Sequence, residues 1–190
     1  MRTVNDQTKK KFIEAAILEM RDHGIADFSL RRVSLRCGTT SGAPYRHFKD
    51  RNALILEVLK YINSKWHEAQ NETLKNVSGT YRDVIVEISM RYVRFLYENR
   101  EFQTILMMND SSMTEEQKVE KAKISQITTN LIDKYCESVN MSHEARTRKT
   151  YSVRSFIYGA ALMFNSGYMS YNDENLDMVR GCIEREFDLS

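Results

Sequence analysis

Apolar residues recur at intervals of three and four along most of the chain, which is the spacing of one face of an α-helix. The first such stretch covers residues 8–23 and is followed by Gly24, a residue suited to the left-handed turn that ends a helix. A short second helix is predicted over residues 30–37, with Ser29 as its N-cap and Gly38 at its end. The N-terminal part of the chain is therefore predicted to be helical.

A third short helix is predicted over residues 40–48. Pro44 is tolerated only in a first helical turn, where backbone amides lack partners, so the proline places the start of this helix near Thr40. Asp50 then caps a long fourth helix that is predicted to continue to about residue 71.

The rest of the chain predicts longer helices with the same apolar spacing. The fifth helix has apolar positions between residues 84 and 96, and a shorter sixth helix over residues 100–108 is followed by a loop at 109–112. The seventh helix begins with a capping box of Thr114 and Gln117 and runs to about residue 135. The eighth covers residues 142–168, and the ninth runs from about residue 172 to 187. Because no strand pattern of useful length occurs, we expect an all-α fold of about nine helices, three short ones followed by a helical bundle.

The composition agrees with a helical protein. There are only seven glycines and one proline in 190 residues, whereas a β-sandwich or barrel needs a turn about every 8–12 residues. The longest apolar run, residues 160–164, is far shorter than the roughly 20 residues of a membrane helix. The polar N-terminus argues against secretion, and Cys37, Cys136 and Cys182 have no metal-ligand spacing. We expect a cytoplasmic protein with no membrane segment, metal or cofactor.

Charge is unevenly distributed along the chain. Residues 1–51 hold eleven Lys and Arg against six Asp and Glu, a net charge of +5, whereas the remaining residues hold seventeen against twenty, a net charge of −3. A basic head joined to a mildly acidic body predicts a polyanionic partner for the first part only.

The two short helices on either side of Gly38 form a helix-turn-helix pattern, whose second helix lies in the major groove of DNA. The start of that helix must be small and polar so that the backbone can approach the duplex, and residues 40–43 meet this requirement. Arg46, His47 and Lys49 follow as cations for phosphates or guanine edges. The same pattern occurs in enzymes and packing modules, so an ordinary surface helix stays the alternative at this point.

A longer run of motifs resembles a known family. FIEAA at residues 12–16, FSLRRV at 28–33 and CGTTSGAPYRHFKDRNAL at 37–54 together resemble the N-terminal DNA-binding domain of TetR-like transcriptional repressors. The resemblance covers about residues 8–59, and GAPYRHF is its most specific piece. It implies a helix-turn-helix DNA-binding domain of residues 1–50 and a helical effector-binding and dimerisation domain of residues 51–190.

The chain departs from the family pattern at a few positions. Thr39 stands where a small apolar residue is usual, Ser34 and Cys37 replace alanines, and Arg32 and Asn52 stand where acidic residues are common. Thr39 and Ser34 could loosen the packing of the two short helices, and Arg32 could add a phosphate contact.

The resemblance implies DNA contacts at ten matching positions. Arg46 is the best candidate to contact a base as well as a phosphate, whereas Phe48 is expected to pack inside the domain. His47 could instead be a hydrogen-bonded structural residue. The DNA-contacting residues that the resemblance implies are Ser29, Arg31, Thr40, Ser41, Gly42, Ala43, Tyr45, Arg46, His47 and Lys49.

The resemblance also implies a homodimer formed by the last two long helices. Small residues interleaved with large apolar ones allow helices to approach closely, and Gly159 and Gly181 each cost about 1 kcal/mol relative to alanine within a helix. Packing within one subunit is the alternative. The predicted interface residues are Phe156, Gly159, Ala160, Met163, Phe164, Gly167, Val179 and Ile183.

Methionine and aromatic residues of the body could line a pocket for a flat apolar or amphipathic effector, although such a stripe more often belongs to a core. The candidate ligand-binding residues are Trp66, Tyr92, Phe95, Phe102, Met107, Tyr135 and Tyr158. No catalytic triad, metal-ligand spacing or phosphate-binding glycine loop emerges, so we do not expect an enzyme.

These observations predict a DNA-binding transcriptional regulator. We expect a repressor that binds a palindromic operator as a homodimer, with half-sites about 34–36 Å apart. A small hydrophobic or amphipathic effector is expected to release the repressor from the operator by shifting the fourth helix. The alternatives are a ligand-independent helix-turn-helix regulator and a helical protein-interaction module.

Overall fold

The computed structural model describes residues 4–107, 111 and 113–188. Its helices are α1 (Val4–His23), α2 (Leu30–Arg36), α3 (Arg51–Asn76), α4 (Tyr81–Glu98), α5 (Arg100–Leu106), α6 (Glu115–Ala122), α7 (Gln126–Ser138), α8 (His143–Ser166) and α9 (Asp173–Asp188). This part of the chain contains no β-strand, so the all-α prediction is confirmed. In the predicted loop, only Ser111 is among the described residues; residues 109, 110 and 112, like Met108 before them, lie outside these.

The first of two compact units comprises Met1–Lys65 and Arg100–Ile124. Within it α1 packs against α2 and α5. The core of this unit contains fully buried side chains from three helices, including Phe12 and Met20 of α1, Val33 of α2 and Leu54 of α3. Burial of the apolar stripe of α1 accounts for its helical spacing.

The second unit comprises Trp66–Asn99 and Ser125–Ser190. Its central helix is α4, which packs against α7, α8 and α9. Arg180 of α9 bonds both carboxylate oxygens of Glu87 of α4, at 2.5 and 3.1 Å, a two-pronged geometry typical of strong arginine–carboxylate pairs. Tyr135 of α7 donates its hydroxyl to the carbonyl of Phe187, at 2.8 Å.

Most predicted helix ends are confirmed by the capping bonds. Ser29 caps α2, Thr114 forms a capping box with Gln117 at the start of α6, and Ser142 caps α8. Gly24 follows α1 at a φ of +74° and donates its amide to the carbonyl of Met20. Each of these capping bonds joins residues that are close in the sequence, and for that reason the helix ends could be predicted from the sequence.

The third helix predicted from Thr40 to Phe48 is wrong in its extent. The regular part is a single 3₁₀ turn, Pro44–Arg46. Pro44 has no amide proton, so the helical bond that would reach back to the carbonyl of Thr40 cannot form. The amide of Ala43 bonds that carbonyl instead, at 3.0 Å, and the turn begins at the proline itself.

Three other helices differ from prediction, and one of them, the long helix predicted to end at about residue 71, continues to Asn76. The seventh helix, predicted as continuous to about residue 135, is interrupted by the 3₁₀ turn Lys123–Ser125. No proline or glycine marks that site; the interruption coincides with the passage of the chain from the first unit to the second, at Ile124. The first helix begins at Val4 rather than Thr8.

The two compact units do not meet at residue 50, where the domain boundary was predicted. The first half of α3 packs in the first unit because its apolar side chains complete that core, and α6 is tied to it as well. Gln117 donates to the carbonyl of Asn52 at 3.0 Å, and Asn63 donates to the carbonyl of Glu120 at 2.7 Å. The division of function between residues 1–50 and 51–190 stays a prediction.

None of the helices in the described ranges is both long and apolar enough to cross a membrane.

Candidate functional site

A buried carboxylate joins α1 to α2. Glu19 is 0% exposed and accepts hydrogen bonds from Arg32 and from Arg36, the latter at 3.1 Å. Arg36 also pairs with Asp22 at 2.6 Å, and Arg32 bonds the carbonyl of Asp27. A buried carboxylate needs such partners to offset its lost hydration. The guanidinium of Arg32 is thus engaged with protein acceptors, which argues against the phosphate contact considered for it.

Other basic residues of the N-terminal segment are also engaged within the protein. Lys9 pairs with Glu57 at 2.5 Å, and Arg51 bonds the carbonyls of Ile25 and Ala26, the latter at 3.2 Å. The hydrogen bonds from Lys9 and Lys60 outweigh the opposing effect of burial and hold the pKa of Glu57 below its ordinary value. These cations stabilise the unit and are poorly placed to bind a polyanion.

A different set of cations has no carboxylate partner among the described residues. Arg31 at the start of α2, Arg46 in the 3₁₀ turn and Lys49 just after it are all exposed. Three of the predicted DNA-contacting cations are thus left without a carboxylate partner among the described residues. Lys11, which sequence reasoning did not select, is also exposed and has no ion pair within residues 4–107, 111 and 113–188; its signal was the run of three lysines in residues 9–11.

The segment before the 3₁₀ turn presents backbone and small polar groups. Thr40, Ser41 and Gly42 are exposed and Ala43 is half-buried. Tyr45 follows with 57% of its surface exposed. Small, exposed residues next to free cations allow close approach of a phosphate backbone.

Aromatic packing attaches this segment to α1. Phe48 is 3% exposed and meets Phe12 edge-on, with ring centroids 6.3 Å apart. The packing role predicted for Phe48 is confirmed. His47 is half-buried, with its ring 5.6 Å from Phe12, an arrangement that favours the structural alternative for this residue.

Two family departures strengthen the turn instead of loosening it. The hydroxyl of Ser34 donates to the carbonyl of Leu30 at 2.9 Å, and both the amide and the hydroxyl of Thr39 donate to the carbonyl of Ser34, at 3.0 and 3.3 Å. Gly38 between them has a φ of +66°, which favours glycine. The loosening considered for Thr39 and Ser34 is therefore wrong. Ser29, a predicted DNA contact, is half-buried and its side chain caps α2.

Four of the seven predicted ligand residues come together in the second unit. The rings of Trp66 and Tyr92 are 4.7 Å apart, Phe95 lies 5.3 Å from Trp66, and the hydroxyls of Tyr92 and Tyr158 are 3.4 Å apart. Removal from water, together with Tyr158, raises the pKa of Tyr92 well above its ordinary value, so its hydroxyl keeps its proton.

The other three lie apart from this cluster. Phe102 packs on Tyr61 in the first unit, and Met107 is exposed there. Tyr135 is buried against Phe187 in the second unit, with ring centroids 5.3 Å apart. Shared residue type does not place side chains together, because that depends on how the helices pack.

A groove lies between α7 and α8, and Tyr158 of the tyrosine pair lines it; we call it the α7–α8 groove. Its volume is about 670 Å³, within the range of roughly 300–1,000 Å³ for small-molecule sites. Of the predicted ligand residues it contains Tyr158. Its lining residues are Thr129, Ile132, His143, Arg146, Thr147, Thr150, Tyr151, Arg154, Ser155 and Tyr158.

The predicted interface residues fall into two sets. Buried inside the second unit are Ala160, Phe164, Val179 and Ile183. Phe156 and Gly159 are half-buried, Met163 is exposed, and Gly167 ends α8 in the left-handed region at a φ of +75°. Only this second set leaves surface for a partner.

The two helix glycines have open space above them. A Cβ added at Gly159 of α8 or Gly181 of α9 would meet no atom within 4 Å. Tight packing within one subunit, the alternative left open by the sequence, does not explain either glycine. Exposed apolar side chains occur on the same helices, with Leu162 on α8 and Met178 on α9.

No cluster of three or more His, Cys, Asp or Glu that could hold a metal ion occurs in the residues that the structure describes.

Comparisons with known proteins agree with this arrangement. Residues 12–58 match the family model of bacterial regulatory proteins, tetR family. A search among curated protein sequences returns no match.

Solved structures share the fold at low sequence identity. A TetR family transcription regulator from Marinobacter aquaeolei VT8 is 18% identical, with 98% of each chain covered and a TM-score of 0.80. A TetR-family transcriptional regulator from Bordetella parapertussis 12822 is 15% identical, with 95% of this chain and 93% of that chain covered and a TM-score of 0.71. The transcriptional regulator FadR from Bacillus subtilis, solved in complex with stearoyl-CoA, is 13% identical, with 94% and 97% covered and a TM-score of 0.69. Residues 12–58 thus match the model of the tetR family of bacterial regulatory proteins, and the chain shares the fold of solved TetR-family transcription regulators.

Proposed function

We propose that this protein is a transcriptional repressor that binds a palindromic DNA operator as a homodimer and leaves it when a small amphipathic effector binds the second unit. The protein would act where the chromosome is, in the cytoplasm, and would catalyse no reaction.

The observation that carries the proposal is the sorting of cations around the helix-turn-helix. Arg32, Arg36 and Arg51 bond acceptors within the protein, whereas Arg46 and Lys49 are exposed and have no carboxylate partner in the described ranges. Such unneutralised charge beside small polar residues is suited to phosphate contacts, which provide most of the affinity of a protein for DNA. Arg31 adds a third free cation.

The open glycines support the homodimer. Gly159 and Gly181 lie where an added Cβ would meet no atom within 4 Å, so a second helix could approach there closely. Leu162 and Met178 supply exposed apolar surface on the same two helices. We propose that these exposed residues, together with Phe156 and Met163, form the interface, while the buried members of the predicted set complete the core of each subunit.

The α7–α8 groove and the Tyr92–Tyr158 pair support an effector site. The complex of the Bacillus subtilis regulator with stearoyl-CoA suggests that an acylated compound is one effector class to test. Because α3 supplies residues to both units, a ligand-induced displacement of this helix would change the spacing of the two recognition segments in a dimer. The effector must bind the released state more tightly, by about 1–3 kcal/mol for a typical coupling.

DNA selection from a random duplex library, followed by footprinting, tests the proposal directly. The expected product is a palindrome with half-sites about one helical turn apart. Affinity for it should fall as salt rises, because phosphate contacts release counterions.

Single substitutions then test the proposed DNA-contacting surface. Arg46→Ala and Lys49→Ala should each weaken operator binding and reduce the slope of log K against log salt by about 0.9 per lost phosphate contact. Lys75→Ala provides a control, because it removes the same charge from an exposed position at the end of α3. Equal affinities and slopes for all three variants and the wild type would contradict the proposed interface.

A further inference from the structure

We infer that the α7–α8 groove binds an amphipathic anion, with its carboxylate or phosphate group held by Arg154 and its apolar part against Tyr158. The inference names the effector chemistry of the proposed function, and its regulatory consequence depends on that function. The binding itself does not.

The charge of the groove is positive and one-sided. Three of its lining residues, His143, Arg146 and Arg154, are basic, and no carboxylate lines it. Arg146 is paired with Asp133, which lies outside the lining. Asp133 therefore neutralises Arg146, and Arg154 remains as the charge that would repel a cationic effector and attract an anionic one.

Arg154 is the arginine of the groove lining whose charge no carboxylate neutralises among the described residues. It is exposed on α8, lines the groove and has no ion pair among the residues that the structure describes. Several other arginines of the second unit are paired, as Arg180 is with Glu87 and Arg82 with Asp188. A planar guanidinium with free donors matches the geometry of a carboxylate or phosphate.

Hydroxyl groups flank the same charge. Thr150 and Ser155 of α8 and Thr129 of α7 line the groove, as does Thr147, whose hydroxyl already donates to the carbonyl of His143 at 2.9 Å. Hydroxyls can donate to the remaining oxygens of an acid group that an arginine holds. Charge and donors together favour an anion over a neutral polar group.

The apolar part of the ligand has a place beyond the charged entrance. Ile132 and the ring of Tyr158 line the groove, and the Tyr158 hydroxyl is 3.4 Å from that of Tyr92. The Tyr92 ring is in turn 4.7 Å from Trp66. The groove thus places Arg154 and apolar side chains in one lining, and Tyr158 connects that lining to the aromatic cluster, a combination suited to an amphipathic molecule.

Trp66 makes the binding measurable. It is the sole tryptophan of the chain, so intrinsic fluorescence of the intact protein reports on this cluster. We would titrate four compounds with the same dodecyl chain and different head groups, each below its micelle-forming concentration: dodecanoate, dodecyl phosphate, dodecanol and dodecyltrimethylammonium. Calorimetry would give dissociation constants independently of the fluorescence change.

One or both anions should bind at least about tenfold more tightly than the alcohol and the cation, the difference expected from a charge-assisted hydrogen bond. A preference for dodecanoate over dodecyl phosphate would indicate a free fatty acid type of ligand, and the reverse a phosphorylated one. Equal binding of the alcohol, tighter binding of the cation or no binding of any compound would overturn the inference.

Variants locate the site. Arg154→Gln should raise the dissociation constant of the preferred anion about tenfold and leave that of dodecanol unchanged, and Arg154→Lys should restore part of the loss. Arg148→Gln is the matched control, because Arg148 is an exposed arginine of α8 that does not line the groove. Unchanged anion binding by Arg154→Gln would refute the assignment.

The same samples separate this inference from the proposed function. Mobility shifts of operator DNA with and without the anion measure release. Anion binding without release, or with no DNA binding at all, would leave the groove assignment intact and contradict the repressor mechanism. Operator binding without any anion binding would refute the groove assignment and leave the proposed DNA binding intact.

Discussion

Replacing Glu19 by glutamine is the sharpest test of how the helix-turn-helix is held together. The Glu19 side chain is fully buried and accepts hydrogen bonds from Arg32 and Arg36 of α2. Glutamine keeps the shape but removes the charge, and its amide group turns a donor toward one of the arginines. The substitution therefore tests the ion pairs rather than the packing.

The size of the effect follows from the number of bonds and the exposure of the partners. A hydrogen bond to a charged group contributes about 1.5–3 kcal/mol, and a neutral one about 0.5–1.5 kcal/mol. The arginine side chains are 39% and 30% exposed, so water can replace part of the lost interaction. We expect the free energy of unfolding to fall by about 2 kcal/mol, a large share of a typical total of roughly 5–15 kcal/mol.

Urea unfolding followed by circular dichroism measures this change. Glu14→Gln is the matched control, because Glu14 also lies on α1 but pairs with Lys10 at the surface, at 3.5 Å. An exposed pair of this kind contributes about 0.3–0.5 kcal/mol. Hydrogen exchange should place the loss in α1 and α2. If the free energy of unfolding falls by the same small amount in both variants, the bonds from Arg32 and Arg36 to the buried Glu19 do not stabilise the domain as argued.

Two further predictions concern the second unit. Gly159→Leu should convert the dimer to a monomer in sedimentation equilibrium while circular dichroism stays helical, because an added Cβ meets no atom within 4 Å in the subunit; a dimeric variant would refute the proposed interface. The amide and hydroxyl of Thr80 hold the pKa of Asp83 below its ordinary 3.8. Asp83 therefore stabilises α4 above its unfolded pKa, and this stabilisation is lost as pH falls through the folded pKa. Asp83→Asn should lose less stability than wild type between about pH 5 and pH 2 in thermal unfolding; equal losses would contradict the linkage.

Local signals explain how much of the fold was predictable. Ser29, Thr114 and Ser142 cap helices as predicted, because a capping bond joins residues only three apart. The third helix failed for a reason that is also local. Pro44 lacks the amide that a helix starting at Thr40 would need, and the rule that tolerates proline in a first turn places the start at the proline.

The types of residue that form the candidate sites were predictable from the sequence, but which individual residues belong to each site was not. Among the basic residues of the N-terminal segment, the sequence could not tell that Arg32 is engaged and Arg46 is not, because Glu19 becomes a partner only when α1 packs on α2. Likewise, of the aromatic candidates, Trp66 and Tyr92 meet in the structure while Phe102 lies in the other unit.

The sequence by itself determined that this chain is helical, where most of its helices begin and end, and that its basic N-terminal motif belongs to a helix-turn-helix, since periodicity, caps and motif spacing are properties of neighbouring residues. Only the tertiary structure decided which charges are neutralised and which surfaces stay open. Arg154 is one of many arginines in the sequence, and it becomes a candidate ligand-binding residue because α7 and α8 enclose a groove beside it that contains no acid. Long-range packing brings such groups together, and that packing is set by the whole chain at once.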